Sequence, residues 1–95
     1  MQRMIKWTNP TTYADGSPIE PEYLPLIKIR VWKDGVETYS TLPGVVEWPI
    51  EVERGVQNSW QLQTELNGAL SELSPPFLYT EPFPNPMPPT NITIE

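Results

Sequence analysis

Thirteen prolines in a chain of 95 residues limit this protein more than any other feature. Average usage is about 5%, and a proline inside a helix removes a hydrogen bond and clashes with the turn before it. Long helices are hard to fit into such a chain. Between the prolines, apolar residues recur with the period of two that marks half-buried strands. "RMIKWT" places Ile5 and Trp7 on one face, and Met4 and Lys6 on the other. "LIKIRVWK" sets Ile27, Ile29 and Val31 against Lys28, Arg30 and Trp32. Asp34-Gly35 is a two-residue hairpin signal, "VETYSTL" returns, and "LPG" at 42–44 turns again. "VVEWPIEVE" puts Val46, Trp48, Ile50 and Val52 on one face, and Glu47, Glu51 and Glu53 on the other. Pro49 cannot donate to a ladder, which sends this strand to a sheet edge or a bulge. "RGVQNS" reads as loop, and "WQLQTEL" as a strand with Trp60, Leu62, Thr64 and Leu66 inward. "NGALSELS" reads as loop and "PPFLYTE" as a last strand. One helical rival exists over "SWQLQTELNGALSEL", where Leu62, Leu66, Leu70 and Leu73 fit helical spacing. Asn67-Gly68 interrupts it. Short strands separated by turns every 8–12 residues predict a small all-β, antiparallel sandwich.

Composition narrows function. The length allows one domain, with a modest core. A net charge of −6 argues against nucleic acid, whose phosphates need clustered Lys and Arg, and against adsorption to anionic membranes. With no Cys, no disulfide, zinc thiolate or thiol nucleophile is possible, and with no His the commonest general base is missing. The N-terminal "MQRMIKWTNP" has no apolar core of a signal peptide, and no stretch is long enough to span a membrane as a helix. The remaining carboxylates, lysines, tyrosines and hydroxyls show no spacing that assembles a catalytic set. The chain reads as a non-enzyme with no cofactor, no metal and no expected small-molecule ligand.

Four groups of residues invite a site. Asp15, Glu20 and Glu22 could hold a hard cation, but Asp15-Gly16 and Ser17-Pro18 are turn chemistry. Glu47, Glu51 and Glu53 could act as paired acids, yet an outward row of carboxylates on an edge strand more simply resists edge-to-edge pairing. Trp7, Trp48 and Trp60 could stack on a sugar, but all three fall on inward faces and are assigned to the core. Lys28, Arg30 and Trp32, with Gln61 and Gln63 on a neighbouring strand, form a candidate protein-binding patch, or else a local cation–π pair on a solvated face. Asn91-Ile92-Thr93 matches a glycosylation sequon, taken as chance without a secretion signal.

These residues resemble a fibronectin type III domain of the bacterial and phage kind. The resemblance covers roughly residues 3–82 and is carried by Ile5, Trp7 and the proline-containing loop "WTNPTTYADGSPI", by "LIKIRVW", by the Asp34-Gly35 hairpin, and by "NGALSELSPP" with Ser71 and Ser74. It implies an immunoglobulin-like sandwich over residues 1–82 with an extended, Pro-rich arm over 83–95. Two departures stand out. Trp60 occupies the neighbourhood where the family has a packing Tyr, and the family's first strand, expected about ten residues before Ile5, has almost no chain to form it.

The C-terminal "EPFPNPMPPTNITIE" holds five prolines in residues 82–89, followed by an alternating Ile92 and Ile94. "PPTNITI" is similar to the opening strand of the same family, set at the other end of the chain. It could supply the absent strand within its own chain, add to a neighbouring subunit's sheet, or extend as a free arm. Its reach as polyproline is on the order of 35–40 Å. The alternating isoleucines favour docking, and Pro88, Pro89, Ile92 and Ile94 join the candidate interface residues. The resemblance implies a structural role, as a capsid decoration or tail protein of a tailed phage that binds protein subunits, itself included. The place of action would then be the virion; the residues alone assign no compartment. The alternative is a spacer or weak carbohydrate-binding module of a secreted bacterial enzyme. A reading frame ending at Glu95 supports the first; a second repeat opening at "PPTNITIE" supports the second.

Overall fold

The structure, a computed structural model, describes residues 1–95 and is all-β, with antiparallel sheets. β1 (Gln2–Lys6) pairs with β4 (Glu47–Glu51) as a two-stranded sheet. β2 (Lys28–Lys33) sits between β3 (Val36–Ser40) and β5 (Gln57–Leu66) in a five-stranded sheet. β5 pairs along its other edge with β6 (Ala69–Leu70) at one end and β7 (Phe77–Thr80) at the other.

The two sheets face each other across a small core. Val52, with Ile5 and Ile50 beside it, meets Val31 and Trp60 of the larger sheet. A second cluster of Ile19, Ile27, Ile29 and Leu66 is covered by Trp7, Tyr23 and Leu24, and Leu62 touches both. The alternation of β2 is expressed cleanly, since Ile27, Ile29 and Val31 are buried. Trp60 is buried as expected, whereas Trp7 and Trp48 are half-buried. The Trp48 ring stacks on Tyr39 at 3.7 Å between centroids, fastening β4 to β3 across the two sheets. Val46, expected inward, is 45% exposed because it lies beyond the end of β4.

The turns follow their residues. Asp34 and Gly35 have φ of 51° and 81°, the double left-handed geometry of a tight hairpin between β2 and β3. Asn67 and Gly68, at 51° and 79°, make the same turn between β5 and β6. That segment was expected to be loop throughout, so β6 corrects the expectation: the dipeptide that interrupts a helix is also a hairpin signal. Strand β5 also begins earlier than expected, at Gln57, because β7 pairs with Gln57–Trp60. Between β6 and β7 the serines stand in for a strand. Ser71 Oγ accepts the Thr64 N–H at 2.9 Å, and Ser74 Oγ accepts the Leu62 N–H at 2.9 Å. Leu26, expected at the start of β2, closes a 3-10 turn over Leu24–Leu26 instead.

Residues 82–95 form no strand. They project from the body, so the molecule measures 76 Å along its longest axis and 22–23 Å along the others. The docking of Ile92 and Ile94 onto a sheet of their own chain is not realised; they are 83% and 98% exposed.

Candidate functional site

The small sheet has two free edges of different character. The Trp7 N–H donates to the Val46 carbonyl at 3.1 Å, and the Val52 N–H to the Met1 carbonyl at 2.9 Å. With the register Gln2↔Glu51 to Lys6↔Glu47, these bonds set the parity: odd-numbered residues of β1 exchange hydrogen bonds with β4. The N–H and C=O groups of Glu47, Pro49 and Glu51 therefore aim outward from β4. Pro49 has no N–H to offer, Lys33 Nζ donates to the Glu51 carbonyl at 3.4 Å, and two carboxylates flank the row. This edge is blunted in the manner expected from its proline and glutamates.

The β1 edge is different. Gln2, Met4 and Lys6 direct their backbone groups away from β4, and no other segment bonds to them. Two adjoining clefts of about 340 and 240 Å³ run beside this edge. Met4, Ile5, Trp60 and Phe77 line both, Leu62 deepens the first, and Ile50 and Tyr79 close the second. Met4 is half-exposed, and Phe77 and Leu78 of β7 are exposed. The result is an apolar slot between β1 and β7 with an unpaired backbone along one wall.

One end of the slot is held by charge. Glu81 is only 2% exposed and accepts hydrogen bonds from two nitrogens of the Arg3 guanidinium, Nε at 2.8 Å and Nη2, and from the Tyr79 hydroxyl. The Arg3 hydrogen bonds, then that of Tyr79, lower the Glu81 carboxyl from 4.5 to about 2. The Tyr79 phenol is raised in turn, mainly by its bond to Glu81. Arg3 shares its parity with Ile5 and Trp7, but its side chain is half-exposed, and nothing local in the sequence names Glu81 as its partner.

The Lys28, Arg30 and Trp32 patch lies on the outer face of β2, with Arg30 opposite Gln63 and Trp32 opposite Gln61. Its polar groups are engaged only in part, since the Trp32 Nε1, Arg30 Nε and Gln63 Oε1 atoms are buried without a hydrogen-bond partner. Arg30 pairs with Glu65 at 2.9 Å and Glu37 at 3.6 Å, Gln63 donates to the Ser71 carbonyl, and Gln61 to that of Ser74. Lys28 remains exposed and Trp32 half-buried. Pro88, Pro89, Ile92 and Ile94 are exposed on the arm, away from this patch.

Of the three acids of the loop 8–22, Asp15 and Glu20 have local partners, Glu22 is exposed without one, and the three do not gather into a cation site. Asp15 accepts the Ser17 N–H at 2.9 Å and the Ser17 hydroxyl, the closed turn its sequence predicts, and these bonds lower its pKa. Glu20 accepts the Tyr13 hydroxyl, which pushes the phenol up to about 12. The same loop and the paired strands β5 and β6 border a cavity of about 510 Å³, lined by Tyr13, Ile19, Leu66 and Leu70 among others. Its lining offers apolar surface and hydroxyls, with no carboxylate or amine. No helix is long and apolar enough to cross a membrane. Searches against protein-family models, curated proteins and solved structures find no match.

Proposed function

We propose that this chain is a non-catalytic structural protein, a fibronectin type III-like sandwich that serves as a virion component of a tailed phage, as capsid decoration or tail protein, by binding neighbouring protein subunits. The observation that carries the adhesive part is the slot beside β1, an apolar surface next to an unpaired backbone edge, the arrangement to which an extended polypeptide adds as a further strand. The outward distribution of apolar groups agrees with it, because Phe77, Leu78, Phe83, Met87, Ile92 and Ile94 are all more than half exposed. The virion assignment is supported by the resemblance of residues 3–82 and by the small, acidic body with its extended arm. The sugar-binding alternative is weakened because Trp60 is buried and Trp48 lies against Tyr39.

The test is mass spectrometry of purified particles from the source virus. Full-length protein should be present in stoichiometric amounts, and a truncation lacking residues 83–95 should be lost from them. Particles devoid of the full-length protein would overturn the virion assignment; full occupancy by the truncated form would overturn attachment through the arm.

A further inference from the structure

The slot beside β1 sets an apolar floor next to a free backbone edge, and the chain carries an alternating segment, residues 91–95, that pairs with nothing. We infer that residues 91–95 of a second copy of this chain insert beside β1, antiparallel to it, so that copies join head to tail. The inference rests on the adhesive reading above and names its partner.

Three observations converge on this occupant. The free edge presents backbone groups at Gln2, Met4 and Lys6 only. An antiparallel segment with Glu95 opposite Gln2 brings Thr93 opposite Met4 and Asn91 opposite Lys6. None of these donor positions is a proline, so the ladder forms without a gap. In that register Ile92 falls opposite Ile5, beside the cleft lined by Trp60 and Leu62, and Ile94 opposite Arg3, beside the cleft lined by Ile50, Trp60 and Tyr79. Shifting by one residue would turn both isoleucines to solvent, so the alternation selects the register. Finally, Ile92 and Ile94 are the most exposed isoleucines of the molecule and have no contact of their own to give up.

The arm's geometry directs it to another copy. Its root is clamped at the Gln2 end of β1: Glu81 holds Arg3, and the Gly55 N–H donates to the Glu81 carbonyl at 2.8 Å. To pair antiparallel with its own β1, residues 91–95 would have to arrive from the Lys6 end. The arm would first run the full strand, on the order of 17 Å, and then reverse. Five prolines within residues 82–89 hold it straight, at roughly 3.1 Å per residue, and the one left-handed residue after Gly68, Asn91 at φ 56°, falls inside the segment that must be extended to pair with Lys6. A neighbour's arm meets no such obstacle. Because donor and acceptor surfaces differ, the contact is heterologous and builds rings or open chains.

The full-length protein is examined by size-exclusion chromatography with light scattering over a range of concentrations, beside two kinds of variant. Ile92→Asp with Ile94→Asp removes the donor; the arm makes no contribution to the core, so the body stays folded. Met4→Pro removes an N–H that serves only the free edge, and Phe77→Lys, at an already exposed position, charges the slot wall and serves as a second acceptor variant where Met4→Pro unfolds the protein by circular dichroism. The expected result is concentration-dependent association of the parent, weakened about 100-fold or more in each variant. A mixture of donor and acceptor variants should form a heterodimer and stop there. A peptide of residues 90–95 should bind the donor variant and shift the tryptophan emission to shorter wavelength. A parent that stays monomeric while the peptide fails to bind, or a donor variant that associates like the parent, overturns the inference. So does a monomer whose tryptophan emission changes on Ile92→Asp with Ile94→Asp, since that is the signature of an arm folded onto its own slot. Each of these outcomes leaves the presence of the protein in particles unaffected, so the broader reading fails or stands by its own test.

Discussion

Glu81 is the residue whose environment is most altered by folding. It is buried, and its charge is kept by Arg3 and Tyr79. Because its folded pKa lies at about 2, below the ordinary 4.5, the unfolded chain binds more protons in that interval. The stabilisation is therefore complete above the ordinary value and is lost as pH falls towards 2. Denaturant midpoints measured across this range should decline, and Glu81→Gln should flatten the part due to this carboxyl. Asp15, Glu20 and Asp34 are lowered as well, so a residual slope should survive in that variant. An unchanged profile in Glu81→Gln would show that Arg3 and Tyr79 do not hold the carboxylate charged. Arg3→Leu should destabilise the fold at neutral pH more than Glu81→Gln, because it leaves a buried carboxylate without its cation.

At the scale of elements, the last strand is broken in two by Ser71–Pro76, and side-chain oxygens carry the ladder across the break. Ser74→Ala should cost about 1–2 kcal/mol, because the Leu62 N–H it serves is partly buried, and Ser71→Ala roughly 0.5–1 kcal/mol at its more exposed site. Equilibrium unfolding of the two variants would decide the order; equal or negligible costs would mean that water replaces both hydroxyls. The segment also shows the limit of pattern reading. Ser71 and Ser74 carry part of the resemblance, yet nothing local says that their hydroxyls would accept from Thr64 and Leu62, which pair with them only once the sheet has formed. By contrast β2 was legible residue by residue, since its alternation is a property of the backbone pleat and needs no partner to be read.

For the whole molecule, the radius of gyration of 19.6 Å exceeds the roughly 12 Å of a compact chain of this length. The arm accounts for the excess. Small-angle scattering of monomeric protein should return a value near 19.6 Å, and removal of residues 83–95 should bring it to about 12 Å. A full-length monomer already near the compact value would show that the arm lies on the body. The arm's direction is set at Gly55, where φ is +77° and an added Cβ would stand 2.6 Å from Phe83 Cε2. Gly55→Ala should cost about 1–2 kcal/mol in thermal unfolding and swing the Phe83 ring away. A variant as stable as the parent would mean that the root is loosely held.

Sequence alone determined the all-β character, the strand faces, the blunted edge at Pro49 and the turns at Asp15-Gly16 and Asp34-Gly35. Each follows from a residue's own backbone limits or from a period of two, and both are local. Tertiary structure decided which edge stays open, that Arg3 and Glu81 meet although 78 positions apart, and that the isoleucines at the end of the arm have no sheet of their own chain beneath them. Those outcomes depend on which strands become neighbours and on where a stiff polyproline segment points, and neither quantity is written in any local stretch.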